Sequence, residues 1–359
     1  MADLPARPWP PPAVADEDGG PAPGVDVGAL ARVRGAGALA ALVADPAVSD
    51  VLVNGPREVW VDRGRGLERV GCDVGDVRAL AVRLAAAGGA RLDDAAPVAD
   101  ARLPDGTRLH AVLPPVAADG AVLSLRTSRR RAFAPAELVA VGSVHPLVDD
   151  VLRGLVVRRA NVLVTGGTGT GKTTLLASVL SLVAASERIV CIEEAVELAP
   201  DHPHVVHLVA RRPNVEGAGE VGLAALVRHA LRMRPDRIVL GEARGPEIRE
   251  VLTALNTGHE GGWATVHANA VGDVPARLEA LGALAGLDRA AVAAQATSAL
   301  DAVVHLRREG PRRWVAEVGA VVRTEAGSWA VEPVLTVDAG GAAVGGPGWP
   351  AFARRWVPT

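Results

Sequence analysis

The stretch Gly166-Gly167-Thr168-Gly169-Thr170-Gly171-Lys172-Thr173-Thr174 constrains this chain more than any other. It stands between an apolar run at 161–165 and a second at 175–185, so strand, glycine-rich turn and helix follow one another there. In that setting the pattern G-x-x-x-x-G-K-[ST] reads as a phosphate-binding loop. Its glycines let successive backbone N–H groups turn inward around a polyphosphate, and the helix N-terminus adds the positive end of its dipole. Lys172 can then reach the β- and γ-phosphates, and the Thr173 hydroxyl can ligate Mg²⁺. Lys172 is the only lysine in the chain. A compact, flexible ammonium has been kept at the one place where a planar guanidinium would fit badly.

At 359 residues the chain is long enough for about two domains. Nearly half of it is apolar, but with no Tyr and only two Phe its cores must be assembled from Ala, Val and Leu. A net charge of −3 argues against a protein that coats nucleic acid by charge alone. Cys72 and Cys191 are far apart and in no ligand spacing, so neither a disulfide framework nor a zinc site is suggested. Cys191 lies in the apolar run 189–192 and reads as a small buried hydrophobe. The Pro-rich residues 1–24 lack the basic and apolar blocks of a secretory signal, and no apolar run approaches the length of a membrane span. The expected place is the cytoplasm, at the inner face of the cell membrane through partners.

Residues 1–25 are without periodicity and read as a disordered tail. From 26 to 127 an α+β domain is expected. It contains a helix at 28–44, short strands at 51–53 and 58–61, a helix at 74–87, and strands at 108–113 and 121–126. Residues 128–146, with Arg129-Arg130-Arg131, read as a solvated linker. From 147 to 325 buried strands at 162–164, 189–192, 205–209, 237–240, 262–266 and 302–306 alternate with helical segments. That is the pattern of a mostly parallel sheet with helices on both faces. Residues 326–359 read as a further strand and a loose Gly/Pro-rich end.

Hydrolysis needs a carboxylate to activate water, a second around Mg²⁺, and positive charge for the transition state. The run Arg188-Ile189-Val190-Cys191-Ile192-Glu193-Glu194 places two carboxylates directly after a buried strand, and Arg237-Ile238-Val239-Leu240-Gly241-Glu242 does the same after another. In open α/β sheets ligands sit at the carboxyl ends of the strands, beside the phosphate loop here. Capping of the following helices would account for Glu194 and Glu197. Downstream, His259 and His267 bracket a glycine-rich turn and a strand, where either could hydrogen-bond a γ-phosphate or a carboxylate. His204 and His207 read as structural.

Five motifs in order carry a resemblance. They are the phosphate loop, Ile-Glu-Glu at 192–194, Leu-Arg-Met-Arg-Pro-Asp-Arg-Ile at 231–238, Gly-Glu-Ala-Arg-Gly at 241–245, and Thr-Gly-His-Glu-Gly at 257–261 with Thr-Val-His-Ala-Asn at 265–269. Together they resemble the secretion traffic ATPases of type II and type IV secretion and pilus assembly. The stretches at 49–56 and 211–217 are similar to the tight-adherence (Tad/CpaF-like) pilus branch. The resemblance implies a C-terminal RecA-like domain behind a smaller α+β domain, working as an ATP- and Mg²⁺-dependent homo-hexamer on polytopic inner-membrane platform proteins, without direct nucleic acid. It also implies Glu193 as the water-activating carboxylate, Glu242 as the Walker B glutamate beside Mg²⁺, and His267, with His259, in the histidine box. Arg108 and Arg126 would be the arginines that the first domain offers to the phosphates. Two departures stand out: Glu194 where Asp is usual, and Ala270 where Ser is usual. A motor for pilus assembly or secretion, a DNA-transfer ATPase, and a nucleotide-binding ring subunit without turnover are the functions this leaves to weigh. The Asn-Lys-x-Asp signature for guanine cannot occur in a chain whose sole lysine is Lys172.

Overall fold

A computed structural model describes residues 35–45, 47–64, 66–127, 132–211, 218–324 and 328–358. These form two compact units, one ending at Thr127 and one beginning at Ala132.

In the first unit, valine and leucine alternate with polar residues, and the alternation decides which face of the sheet is buried. The helix α1 (Ala40–Ala44) precedes β1 (Asp50–Gly55), β2 (Glu58–Asp62) and β3 (Leu67–Val70). Helix α2 (Val77–Ala87) then leads to β4 (Val98–Arg102), β5 (Arg108–Val112) and β6 (Val122–Arg126). The strands pair antiparallel in the order β3-β2-β1-β6-β5-β4. Val51, Val53, Leu123 and Leu125 share a core with Leu80 and Leu84 of α2. Asp76 starts α2 by accepting the Ala79 N–H at 3.0 Å, and Gly89, at φ 74°, lies just beyond its end. The helix expected at 28–44 shortens to α1 within the described residues, because Gly35 and Gly37 take φ values of 97° and 55° that a helix does not allow. Residues 28–34, like the tail 1–25, lie outside the described residues.

In the second unit each central strand divides its side chains between two cores. Val162 and Val164 face one and Leu163 the other; Ile189 and Cys191 face the first, Val190 and Ile192 the second. A strand apolar on both faces needs helices on both sides. Helices α3 (Pro135–Ala140) and α4 (Pro146–Val157) precede β7 (Val162–Gly166), which runs into α5 (Lys172–Leu180). Strands β8 (Ile189–Glu193) and β9 (Val205–Val209), helix α6 (Leu223–Ala230), β10 (Arg237–Ala243), α7 (Glu247–Asn256) and β11 (Trp263–Val266) follow. Helices α8 (Val274–Leu284) and α9 (Arg289–Ala299) come before β12 (Ala302–Glu309), β13 (Arg312–Arg323), β14 (Trp329–Val337), β15 (Ala343–Gly345) and α10 (Trp349–Trp356). The sheet order is β15-β14-β13-β12-β7-β11-β10-β8-β9, parallel from β12 to β9 and antiparallel from β12 to β15. This is a RecA-like P-loop domain with an antiparallel extension. Among the described residues no helix is long and apolar enough to cross a membrane.

Two stretches are more ordered than their composition suggests. Within the expected linker, α3 forms because Pro135 opens it and Glu137 accepts the Ala134 N–H at 2.7 Å, while Leu138 is buried. The Arg129–Arg131 cluster lies outside the described residues. The end expected to be loose instead adds β15 to the sheet and lays α10 against α4, burying Phe352 and Trp356. The fit is set by Gly154 of α4, where a Cβ would stand 1.4 Å from the Trp356 carbonyl oxygen.

Candidate active site

Strands β7, β8, β10 and β11 are parallel, so the phosphate loop, Glu193, Glu242 and His267 all leave the sheet at the same edge. The loop turns on three glycines with positive φ: Gly166 at 147°, Gly169 at 70° and Gly171 at 96°. A Cβ on Gly166 would meet the Leu306 carbonyl oxygen at 2.6 Å, so the first turn admits no side chain. The Thr170 hydroxyl donates to the Gly167 carbonyl at 2.9 Å, closing the loop on itself. Gly167, Thr168 and Gly169 are exposed at the tip, whereas Thr173 and Thr174 lie half-buried in the first turn of α5.

Lys172 is 8% exposed, and its Nζ donates to the carbonyls of Gly166 at 2.9 Å and Gly167 at 3.1 Å. Burial pulls its pKa below the ordinary lysine value, and the Glu242 charge opposes that. Glu242 sits between Arg244 and His267: Arg244 Nη2 donates to its Oε2 at 2.8 Å, and His267 Nε2 lies 2.8 Å from its Oε1. Burial raises the Glu242 carboxyl, but the Arg244 hydrogen bond and the charges of Arg244, His267 and Lys172 together hold it below the usual range. His267 is lowered by burial first and by Lys172 next, with Glu242 pulling the other way. Arg244 also stands 3.5 Å from Glu194, which is exposed.

Glu193 is 3% exposed. Its Oε1 accepts the backbone N–H groups of Glu197 at 2.8 Å and Leu198 at 2.9 Å, and its Oε2 lies 3.3 Å from His207 Nδ1. The carboxylate therefore also organises the turn after β8, the capping role that the sequence reading had given to its neighbours. Gly241 makes room for it, since a Cβ there would stand 2.9 Å from Glu193 Cγ. The Thr265 hydroxyl donates to the Gly241 carbonyl at 2.6 Å and ties β11 to β10 beside the site.

Lys172, Glu242 and His267 are thus brought together, with Glu193 on the neighbouring strand. His259 is not among them. Gly262 donates to Asn161 Oδ1 and its carbonyl accepts from Val162, so the 257–262 turn lies at the amino ends of β7 and β11. The length of β11, about 13 Å at the usual rise, separates that turn from His267. Arg108 and Arg126 belong to the first unit, where they are register partners on β5 and β6. Arg126 Nε lies 3.6 Å from Asp50 Oδ1.

Two residues at the site were not among the candidate site residues read from sequence: Arg244, and His207, which read as structural. Arg244 stands inside the Gly-Glu-Ala-Arg-Gly motif, and its spacing two residues past Glu242 was the available signal. His207 had none, because only the pairing of β8 with β9 brings it to Glu193.

A parallel RecA-like sheet with a phosphate loop and two carboxylates at its carboxyl edge defines a P-loop nucleotide hydrolase. The chain belongs to the type II/IV secretion system protein family, which it matches over residues 33–321, and it is a secretion ATPase of that family. The putative conjugal transfer protein Rv3659c of Mycobacterium tuberculosis is 52% identical over 319 residues, 86% of this chain and 90% of that one. The type IV secretion system protein PtlH of Bordetella pertussis is 32% identical over 246 residues, 62% of this chain and 73% of that one. The fold is similar to that of the ATPase DotB of Legionella pneumophila, with a TM-score of 0.57 at 19% identity over 79% of each chain.

Proposed function

We propose that this secretion ATPase is a cytoplasmic homo-hexameric motor of the tight-adherence pilus branch, held at the inner face of the membrane by polytopic platform proteins. The observation that carries the enzymatic part is the convergence of Lys172, Glu242, Arg244 and His267 beside the phosphate loop. The residues fit a magnesium nucleotide: the loop excludes side chains at Gly166, and Thr173 with Glu242 provides the hard oxygen ligands Mg²⁺ takes. Bound there, Mg²⁺ would neutralise charge on the β- and γ-phosphates. Lys172 binds the same phosphates. Arg244 keeps Glu242 ionised and in place.

Glu193 is the general base in this reading. Its Oε1 is taken by two amides, so Oε2, beside His207, is the oxygen that accepts the proton of the attacking water. Arg108 and Arg126 supply the charge that a mobile first domain brings to the transition state. The stretch at 49–56 supports the pilus branch. The name of the Mycobacterium tuberculosis relative favours a second reading, DNA transfer.

Turnover and size of the purified chain test both. Parent protein should hydrolyse ATP and form rings in light scattering with a non-hydrolysable analogue, and Lys172→Ala should abolish turnover. Normal turnover in Lys172→Ala would refute the site, and a monomer at every concentration would refute the ring. Turnover stimulated by DNA would favour the second reading over the first.

A further inference from the structure

The β12–β13 hairpin continues the sheet past β7, and its two strands touch the phosphate loop at its start and at its tip. At the start of the loop, Thr165 Oγ1 and His305 Nδ1 are 2.9 Å apart, and the Leu306 carbonyl fills the space a Gly166 side chain would need. At its tip, Arg313 Nε donates to the Gly169 carbonyl at 2.8 Å. Arg308 Nη1 also reaches the tip, standing 2.9 Å from where a Gly169 Cβ would be. Neither guanidinium hangs free: Arg308 Nε donates to the Gly310 carbonyl at 3.0 Å, and Arg313 Nη1 to that of Pro311 at 3.4 Å. The turn of the hairpin therefore holds the side chains that hold the loop.

A trans peptide is planar, with its N–H pointing opposite to its C=O. Fixing the Gly169 carbonyl toward the hairpin thus aims the Thr170 N–H away from it, as a nest of donors around phosphate requires. We propose that Arg313 is a positioning residue for nucleotide binding, which orients the tip of the phosphate loop through the Gly169 carbonyl. The proposal rests on the reading that this loop binds nucleotide. Without Arg313 the exposed Gly169 is released to the wide conformational range of glycine, and the loop must be ordered by the ligand itself.

The test uses the full chain and a fluorescent ATP analogue as the probe, with Arg313→Ala, Arg313→Lys and Arg312→Ala. Arg312 lies on the same hairpin, with its guanidinium 5.3 Å from the ring centre of Trp314, and serves as the control. Arg313→Ala should raise the nucleotide Kd and the KM of turnover about tenfold while kcat and the melting temperature stay near those of the parent. Arg313→Lys, which retains a donor, should recover part of the affinity, and Arg312→Ala should bind like the parent. A Kd in Arg313→Ala within twofold of the parent overturns the proposal. So does an equal loss in Arg312→Ala, or loss of affinity only in step with melting temperature. A parent that binds no nucleotide overturns the underlying reading, and the proposal with it.

Discussion

Gly166, at the start of the phosphate loop, and Gly169, at its tip, should respond very differently to alanine. At Gly166 the backbone has φ 147°, in a region open essentially to glycine alone, which costs a side-chain-bearing residue about 1–3 kcal/mol. The added Cβ would also stand 2.6 Å from the Leu306 carbonyl oxygen, a backbone atom of β12 that cannot swing aside. Overpacking of that kind adds about 1–3 kcal/mol. Gly166→Ala should therefore destabilise the second unit by roughly 2–6 kcal/mol. At about 2–4 °C per kcal/mol, that is a melting shift of roughly 4–24 °C. At Gly169, φ is 70°, where the left-handed region costs about 1–2 kcal/mol, and the nearest atom is Arg308 Nη1, the far end of a flexible side chain. Gly169→Ala should therefore lower the melting temperature by only about 2–8 °C. Calorimetry of the full chain reads both shifts, and titration with a fluorescent nucleotide should show the larger loss of affinity for Gly166→Ala. A Gly166→Ala variant that melts within about 2 °C of the parent would refute the argument. So would one less perturbed than Gly169→Ala.

Gly154→Ala separates propensity from packing by sign: an exposed helical glycine gains about 1 kcal/mol on becoming alanine. Here the Cβ would collide with the Trp356 carbonyl and undock α10, so melting should fall and trypsin should cut rapidly after Arg354 and Arg355. A more stable variant with a trypsin-resistant end would show that α10 does not pack there. Burial lowers the pKa of His305, with Glu317 opposing, so the folded state favours the neutral ring. Its contribution to stability is complete above the unfolded value of about 6.5 and is lost as pH falls through the lower folded value. Melting temperature should drop on acidification through that window, and less so in His305→Gln; an equal slope in both would remove His305 as the cause.

The sequence by itself determined the phosphate loop, because its glycines, Lys172 and Thr173 act through local backbone geometry that the spacing encodes. It also determined the parallel strands of the second unit, where short runs of Val, Ile and Leu between turn signals read as strands covered on both faces, but not α3, β15 or α10. Glu193, Glu242 and His267 were legible as strand-end residues, since parallel strands deliver their carboxyl ends to one edge. What those residues touch was decided only by the tertiary structure. The pairing of Glu193 with His207, of Glu242 with Arg244 and His267, and of Gly169 with Arg313 spans 14, 2, 25 and 144 positions respectively. Apart from Arg244, these contacts depend on strand register, which no local pattern specifies. The same holds for the separation of His259 from His267: a spacing of eight positions in sequence says nothing once a strand runs between them. Composition misjudged the C-terminal end for a related reason. Its Gly and Pro residues argue for looseness, but the apolar faces of Phe352 and Trp356 find a surface already built by α4, where the missing side chain of Gly154 leaves room for the Trp356 carbonyl about two hundred positions further along the chain.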